Sequence, residues 1–157
     1  MGRYLKIFLT VLLCEGVGFL ATPFTVAAIP TWYTSLHKPI FSPPNFVFGP
    51  VWTILYLLMG MSLGIIVNKN WKNKKVRLAI AVFFVQLFLN FTWSMVFFGL
   101  KSPLLGLVNI LLLFTTIIVT IFKFQTISKN SAYLLVPYFI WVSFAALLNF
   151  SIVILNP

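Results

Sequence analysis

Acidic side chains are almost missing from this chain: Glu15 is its only carboxylate, set against eleven Lys and Arg. Cysteine and histidine are just as scarce, with Cys14 and His37 the single examples. These shortages exclude whole classes of chemistry. One cysteine makes no intramolecular disulfide and no thiolate metal site, and it implies no oxidising compartment. One histidine with no Cys or carboxylate nearby provides no second protein ligand, so no dedicated metal site is expected, and axial haem ligation by His37 has no support from its surroundings. A nucleophile, a base and an orienting acid cannot be assembled from one Glu and one His so far apart. The phosphate-cradling and dinucleotide-binding glycine fingerprints are absent too. Hydrolytic and phosphoryl-transfer chemistry are therefore not expected.

Charge of either sign is sparse. The 157 residues are 8% charged and 61% hydrophobic, with a mean hydropathy of +1.07, whereas an ordinary soluble domain is about 25% charged and about 45–50% apolar. Such a chain cannot cover a globule with polar surface, so its outer face must meet lipid. Five apolar runs, at 5–28, 46–68, 76–98, 103–124 and 132–155, reach the length of about 20 residues that a bilayer-spanning helix needs. A membrane barrel would instead show alternating segments of about 10 residues. The expected fold is an all-α, integral membrane bundle of five transmembrane helices, a single domain over 1–157. The first run continues to residue 28 without an A-x-A-like cleavage site, so it is read as a retained span rather than a signal peptide.

The cations lie in short connectors and form no basic face, which argues against nucleic acid as a partner. Instead they report orientation. Arg3, Lys6, Lys69, Lys72, Lys74, Lys75, Arg77, Lys123 and Lys129 fall on the N-terminal side of five spans, with only Lys38 and Lys101 opposite. Nine against two predicts a cytoplasmic N-terminus, an external C-terminus and an external first loop.

Polar residues within spans need partners inside the bundle, so they mark helix contacts or a cavity. In the third run Gln86, Asn90, Trp93 and Phe97 recur at helical spacing and share a face. In the fifth, Tyr138, Trp141, Ala145 and Asn149 do the same. The second presents Trp52, Tyr56 and Gly60 in line. For any one of these residues, packing is the simpler reading, since amides bond between helices and aromatics anchor at interfaces. Trp93 and Trp141, however, lie well inside their spans rather than in an interfacial belt. Two amide and aromatic faces beneath an aromatic-rich loop are suited to enclose a flat apolar ligand. Glu15 lies near mid-depth of the first run beside Gly16 and Gly18. A carboxyl there is a functional candidate by default, although no chain of further ionisable groups accompanies it and a helix-packing role is the plainer assignment. Gly60-x-x-x-Gly64 permits close helix approach and, in some proteins, dimerisation.

Several motifs together carry a resemblance. Trp32-Tyr33-x-x-Leu36-x-Lys38-Pro39-x-Phe41-x-Pro43-Pro44 is followed by Phe48-x-Pro50-Val51-Trp52-Thr53-x-Leu55-Tyr56. Asn90-x-x-Trp93-Ser94-x-x-Phe97 comes next, then Pro137-Tyr138-x-x-Trp141-x-x-Phe144-Ala145-x-x-Leu148-Asn149. In order and along the whole chain, these resemble the signatures of the TspO/MBR family, the tryptophan-rich sensory proteins and translocator proteins once called peripheral benzodiazepine receptors.

The resemblance implies a five-helix bundle, commonly a homodimer, with a ligand pocket beneath the first loop. It implies porphyrins such as protoporphyrin IX or haem as ligands, no required cofactor, and membrane lipid as surroundings, in a bacterial cell membrane. Carried over by motif, the ligand-binding residues are Trp32, Tyr33, Trp52, Asn90, Trp93, Tyr138, Trp141, Ala145 and Asn149. His37 and Lys38 would stand at the pocket mouth, where a cation attracts propionates. Three classes stay open: a receptor or sensor for tetrapyrroles; an enzyme of light- and oxygen-dependent porphyrin breakdown, with Trp52 and Trp141 as electron donors; and a carrier of porphyrins, amphiphiles or sterols. Sterol binding at the end of the fifth helix is not expected. The recognition pattern needs Tyr and then Lys or Arg, and residues 150–157 contain neither.

Overall fold

The structure, a computed structural model, describes residues 2–157. Helix α1 (Arg3–Ala28) runs on into a π-helical turn at Ile29–Tyr33, where Pro30 has no N–H to continue the α-helical ladder. One 3₁₀ turn, Asn45–Val47, leads into α2 (Phe48–Val67). The Asn73 side chain accepts from the Lys75 N–H at 2.9 Å and so starts α3 (Lys74–Ser94), which ends in a second π-helical turn, Met95–Gly99. Ser102 caps α4 (Pro103–Gln125), with Pro103 at a position where the missing N–H would have had no helical partner anyway. Two helices complete the chain, α5 (Lys129–Leu134) and α6 (Val136–Leu155).

Joined with their terminal turns, these elements form five stretches long and apolar enough to cross a membrane: Arg3–Tyr33, Asn45–Val67, Lys74–Gly99, Pro103–Gln125 and Lys129–Leu155. They match the five expected runs except at the ends and at one internal point. The first span reaches five residues further, into what reads as connector, because the π-helical turn keeps Trp32 and Tyr33 helical. The fifth is broken at Leu135, because Pro137 cannot donate to the carbonyl four residues before it.

The helices pack as a closed ring. α1 lies against α2 and α3, and α4 lies against α3 and α6. α2 closes the circuit through α5 and, more loosely, through α6. Phe83 of α3 stacks on Phe124 of α4 with ring centroids 5.7 Å apart, and the Ser62 and Ser131 hydroxyls pair at 2.9 Å between α2 and α5. Phe8, Phe88, Leu111, Phe122 and Ile140 are exposed on the outer faces, as a lipid-facing surface requires.

The α1/α2 seam positions the site. Gly60 and Gly64 lie directly on α1: an added Cβ at Gly64 would fall 2.7 Å from Ile7 Cα, and one at Gly60 would fall 2.8 Å from Val11 N. The Thr10 hydroxyl donates to the Gly60 carbonyl at 2.8 Å across this contact. The G-x-x-x-G pattern is therefore used within the chain, clamping α1 to α2 at one end. Towards the other end the two helices part.

Candidate functional site

The amide and aromatic stripes of the third and fifth spans meet in the middle of the bundle. Tyr56 donates to Asn90 Oδ1, Asn90 Nδ2 donates to the Tyr138 hydroxyl at 2.8 Å, and Tyr138 donates to Gln86 Oε1 at 2.9 Å. A second branch runs from Trp93 Nε1 to Asn149 Oδ1 at 3.3 Å, and from Asn149 Nδ2 to the Pro103 carbonyl at 2.8 Å. Helices α2, α3 and α6 and the start of α4 are thereby tied by side chains that have no water to fall back on.

Above this network stands a wall of rings. Trp52 lies 6.4 Å from Trp93 and 5.8 Å from Tyr56 between ring centroids, and Trp93 stacks on Phe97 at 5.3 Å. Tyr33 packs edge-on against Phe48 and Phe97, and Trp32 packs likewise against Phe97, so the π-helical turn of the first span lids the cluster. The wall divides two spaces of very different size. On the α6 side Tyr33, Trp52, Trp93, Trp141, Ala145 and Asn149 converge on a hollow of only about 20 Å³, about enough for one water. On the α1 side, where α1 and α2 part, lies a cleft of about 540 Å³, within the range of about 300–1,000 Å³ usual for small-molecule sites.

Six of the nine ligand-binding residues inferred from the sequence thus line the smaller hollow, and Trp52 and Trp93 line both spaces. Asn90 and Tyr138 lie beneath, with their polar atoms committed to the network. Trp32 sits in the lid. His37 and Lys38 line neither space. The His37 backbone is held by both amide atoms of Asn156, at 3.0 and 2.9 Å, while Lys38 Nζ donates to the Tyr33 carbonyl at 2.8 Å and lies 4.7 Å from the centre of the Tyr33 ring. Trp141 is the chamber's one unsettled member: its buried Nε1 has no hydrogen-bond partner among the described residues.

The stripes did not point to the α1 wall of the cleft, which Glu15, Gly18, Ala21, Thr22 and Thr25 form. A signal was present. Gly18, Ala21, Thr22 and Thr25 are small residues at helical spacing, a face too shallow to fill the space before it. Phe48 and Phe98 close the cleft from α2 and from the end of the third span. The Tyr56 hydroxyl is spent on Asn90, and the Thr22 and Thr53 hydroxyls are spent on the Gly18 and Gly49 carbonyls. Among the described residues no group of three or more His, Cys, Asp or Glu gathers to hold a metal ion.

The model of the TspO/MBR family matches residues 10–155. The chain belongs to the TspO/MBR family. It is 46% identical over 155 residues to the tryptophan-rich protein TspO of Chlorobaculum tepidum, covering 99% of this chain and 98% of that one. It is likewise 46% identical to the TspO of Archaeoglobus fulgidus, over 97% of both chains. The human translocator protein is 33% identical over 126 residues, or 77% of this chain and 72% of the relative. As a TspO/MBR protein with five long apolar helices, it is an integral membrane protein.

Proposed function

We propose that the protein is a membrane receptor that takes up flat hydrophobic ligands, tetrapyrroles foremost, against the Trp52–Trp93 wall. One observation carries the reading: two indoles with centroids 6.4 Å apart and planes 35° from parallel front a cleft of about 540 Å³ set into the membrane span. Such a surface offers stacking to a planar π system in a place that excludes water. The chamber behind the wall, lined by Trp141, Ala145 and Asn149, would admit part of the ligand if the Trp52 ring turned.

Tryptophan quenching by protoporphyrin IX, haem and a sterol in detergent tests the proposal. Saturable quenching by the tetrapyrroles is expected, with Trp52→Ala weakening it about ten-fold, the size of one lost stacking contact. A preference for the sterol would overturn the choice of ligand.

A second reading, light- and oxygen-dependent porphyrin breakdown, draws on the ring series Trp93, Trp52 and Tyr56, whose oxidisable side chains touch in sequence. It predicts that illumination bleaches the Soret band of the bound porphyrin. Trp52→Phe would prevent the bleaching while leaving binding in place.

A further inference from the structure

Trp71 takes no part in the ring wall, its lid or the hollow behind it: it stands 58% exposed in the connector between α2 and α3. Lys69, Lys72, Lys74, Lys75 and Arg77 crowd around it, and all five are exposed. The connector is tightly held. The Lys72 N–H donates to the Asn70 carboxamide at 3.0 Å, the Asn73 N–H donates to the Asn70 carbonyl at 3.0 Å, and the Asn73 side chain caps α3. The chain is thus fixed in a turn that carries Trp71 and Lys72 at its tip.

The fold brings to this run cations that lie far from it in sequence. Asn68 Nδ2 donates to the Arg3 carbonyl at 3.2 Å, which sets Arg3 and Lys6 at the same end. The Ser62 and Ser131 hydroxyls each donate to the other's carbonyl at 2.8 Å and hold the start of α5, with Lys129, against α2. Stacking of Phe83 on Phe124 holds the last turn of α4, with Lys123, against α3. Spread over three stretches of the sequence, nine cations share one end of the bundle with exposed Tyr4 and Tyr133. No acidic side chain balances them. Glu15, the only acid, lies about 18 Å further along α1 than Arg3. Among the described residues, Lys38 at the other end is the only Lys or Arg whose side chain has a hydrogen-bond partner. The preference of cations for one side of a membrane accounts for orientation, and it leaves open what neutralises nine like charges gathered together.

We propose that this end is a docking surface for anionic phospholipid headgroups, with Lys72, Lys74 and Lys75 as the main phosphate contacts and Trp71 as the ring that anchors the turn in the interface. Charge complementarity selects the partner. The headgroups of the adjoining leaflet are the anions at the level where these side chains end, and the long stems of Lys and Arg reach them from the helix ends. Clusters of about four to eight cations beside a span draw anionic lipid, each engaged cation strengthening the association about five-fold. An indole at the same depth, apolar in body and polar at its N–H, holds the connector among the headgroups. The cleft lies towards the other ends of α1 and α2, so the docking surface stands whether or not tetrapyrroles bind.

The test measures, on the full chain in phosphatidylcholine bilayers, how strongly spin-labelled phosphatidylglycerol associates relative to spin-labelled phosphatidylcholine. The anionic lipid is expected to be preferred by at least about five-fold, the weight of one engaged cation, and the preference should shrink towards unity in molar salt. Lys72→Gln, Lys74→Gln and Lys75→Gln together should bring it within about two-fold of unity, whereas the three matching Arg substitutions should keep it, since the charge remains. Lys101→Gln, a cation removed at the opposite end, should leave it unchanged. Equal association of the two lipids with the unmodified protein, a preference that the Gln substitutions leave intact, or one that Lys101→Gln lowers as much would overturn the proposal. Should the triple Gln variant fail to fold, the salt series on the unmodified chain decides, and a preference unaltered in molar salt counts against headgroup contact. Glycerol 3-phosphate, a soluble copy of the headgroup, should not displace the labelled lipid. Its doing so would assign the surface to a free phosphate and overturn the choice of partner.

Discussion

Gly18 and Tyr56 touch across the α1/α2 seam so closely that a Cβ on Gly18 would lie 2.6 Å from Tyr56 Cδ2. This contact marks where the clamped part of the seam ends and the cleft begins. The ring has little freedom to retreat, because its hydroxyl is bonded to Asn90 on α3. Gly18→Ala should therefore cost about 1–3 kcal/mol through overpacking, read as a lowered unfolding temperature in detergent. Gly16, two residues earlier, has nothing within 4 Å of an added methyl. Gly16→Ala should be neutral or should stabilise by up to about 1 kcal/mol through helix propensity. Equal effects at the two sites would mean that the seam is looser than described.

Tyr138 and Tyr56 both touch Asn90 but carry different loads. The Tyr138 hydroxyl accepts from Asn90 and donates to Gln86, whereas Tyr56 only donates to Asn90. Tyr138→Phe leaves a buried amide N–H and a buried amide oxygen without partners, and Gln86 Nε2 already lacks one. Interhelical hydrogen bonds in membranes average about 0.6 kcal/mol each, and stranded polar groups add desolvation cost. Tyr138→Phe should destabilise by about 1–2 kcal/mol and Tyr56→Phe by about half of that. Thermal unfolding of the two variants side by side decides it, and the reverse order would show that the network is wired differently.

Much of this arrangement was legible in the residue order. Hydropathy runs set the five spans to within a few residues, and the four- and three-residue spacing of Gln86, Asn90, Trp93 and Phe97 put a polar face on α3 that the structure buries. One thing was not legible. Period alone does not say whether converging rings leave room or close on each other, because that depends on how side-chain volumes fit once helices have crossed. Trp52, Trp93 and Trp141 do converge, yet nearly all the open volume lies on the other side of the wall.

Trp93 and Trp141 look alike in sequence, each an indole deep in a span, but only one has its nitrogen satisfied. Trp93 Nε1 bonds to Asn149, while the buried Trp141 Nε1 has no described partner. Replacement by Phe removes similar ring area from both. Trp93→Phe also strands Asn149 Oδ1, whereas Trp141→Phe relieves an unpaired donor. Trp93→Phe should be the more destabilising by about 1–2 kcal/mol. Denaturation in mixed micelles gives the difference directly, and a Trp141→Phe loss as large as that of Trp93→Phe would mean that Nε1 is in fact bonded.

The proposed orientation can be tested with thiol labelling, because the structure gathers the cations at one end and silences the native cysteine. Asn68, at the end of α2, donates to the Arg3 carbonyl at the start of α1 at 3.2 Å, so the loop carrying Lys69 and Lys72 lies beside the N-terminus. His37 is held to Asn156 beyond the end of α6, which puts the first loop at the opposite end. The excess of Lys and Arg then predicts that the Asn68 end faces the cytoplasm. Cys14 is fully buried and gives no background. In intact cells expressing the protein, an impermeant maleimide should label His37→Cys and should reach Lys72→Cys only after the membrane is opened. Both positions are exposed in the connectors, so access rather than burial decides the result. Labelling of Lys72→Cys from outside would invert the topology and put the mouth beneath the first loop on the cytoplasmic side.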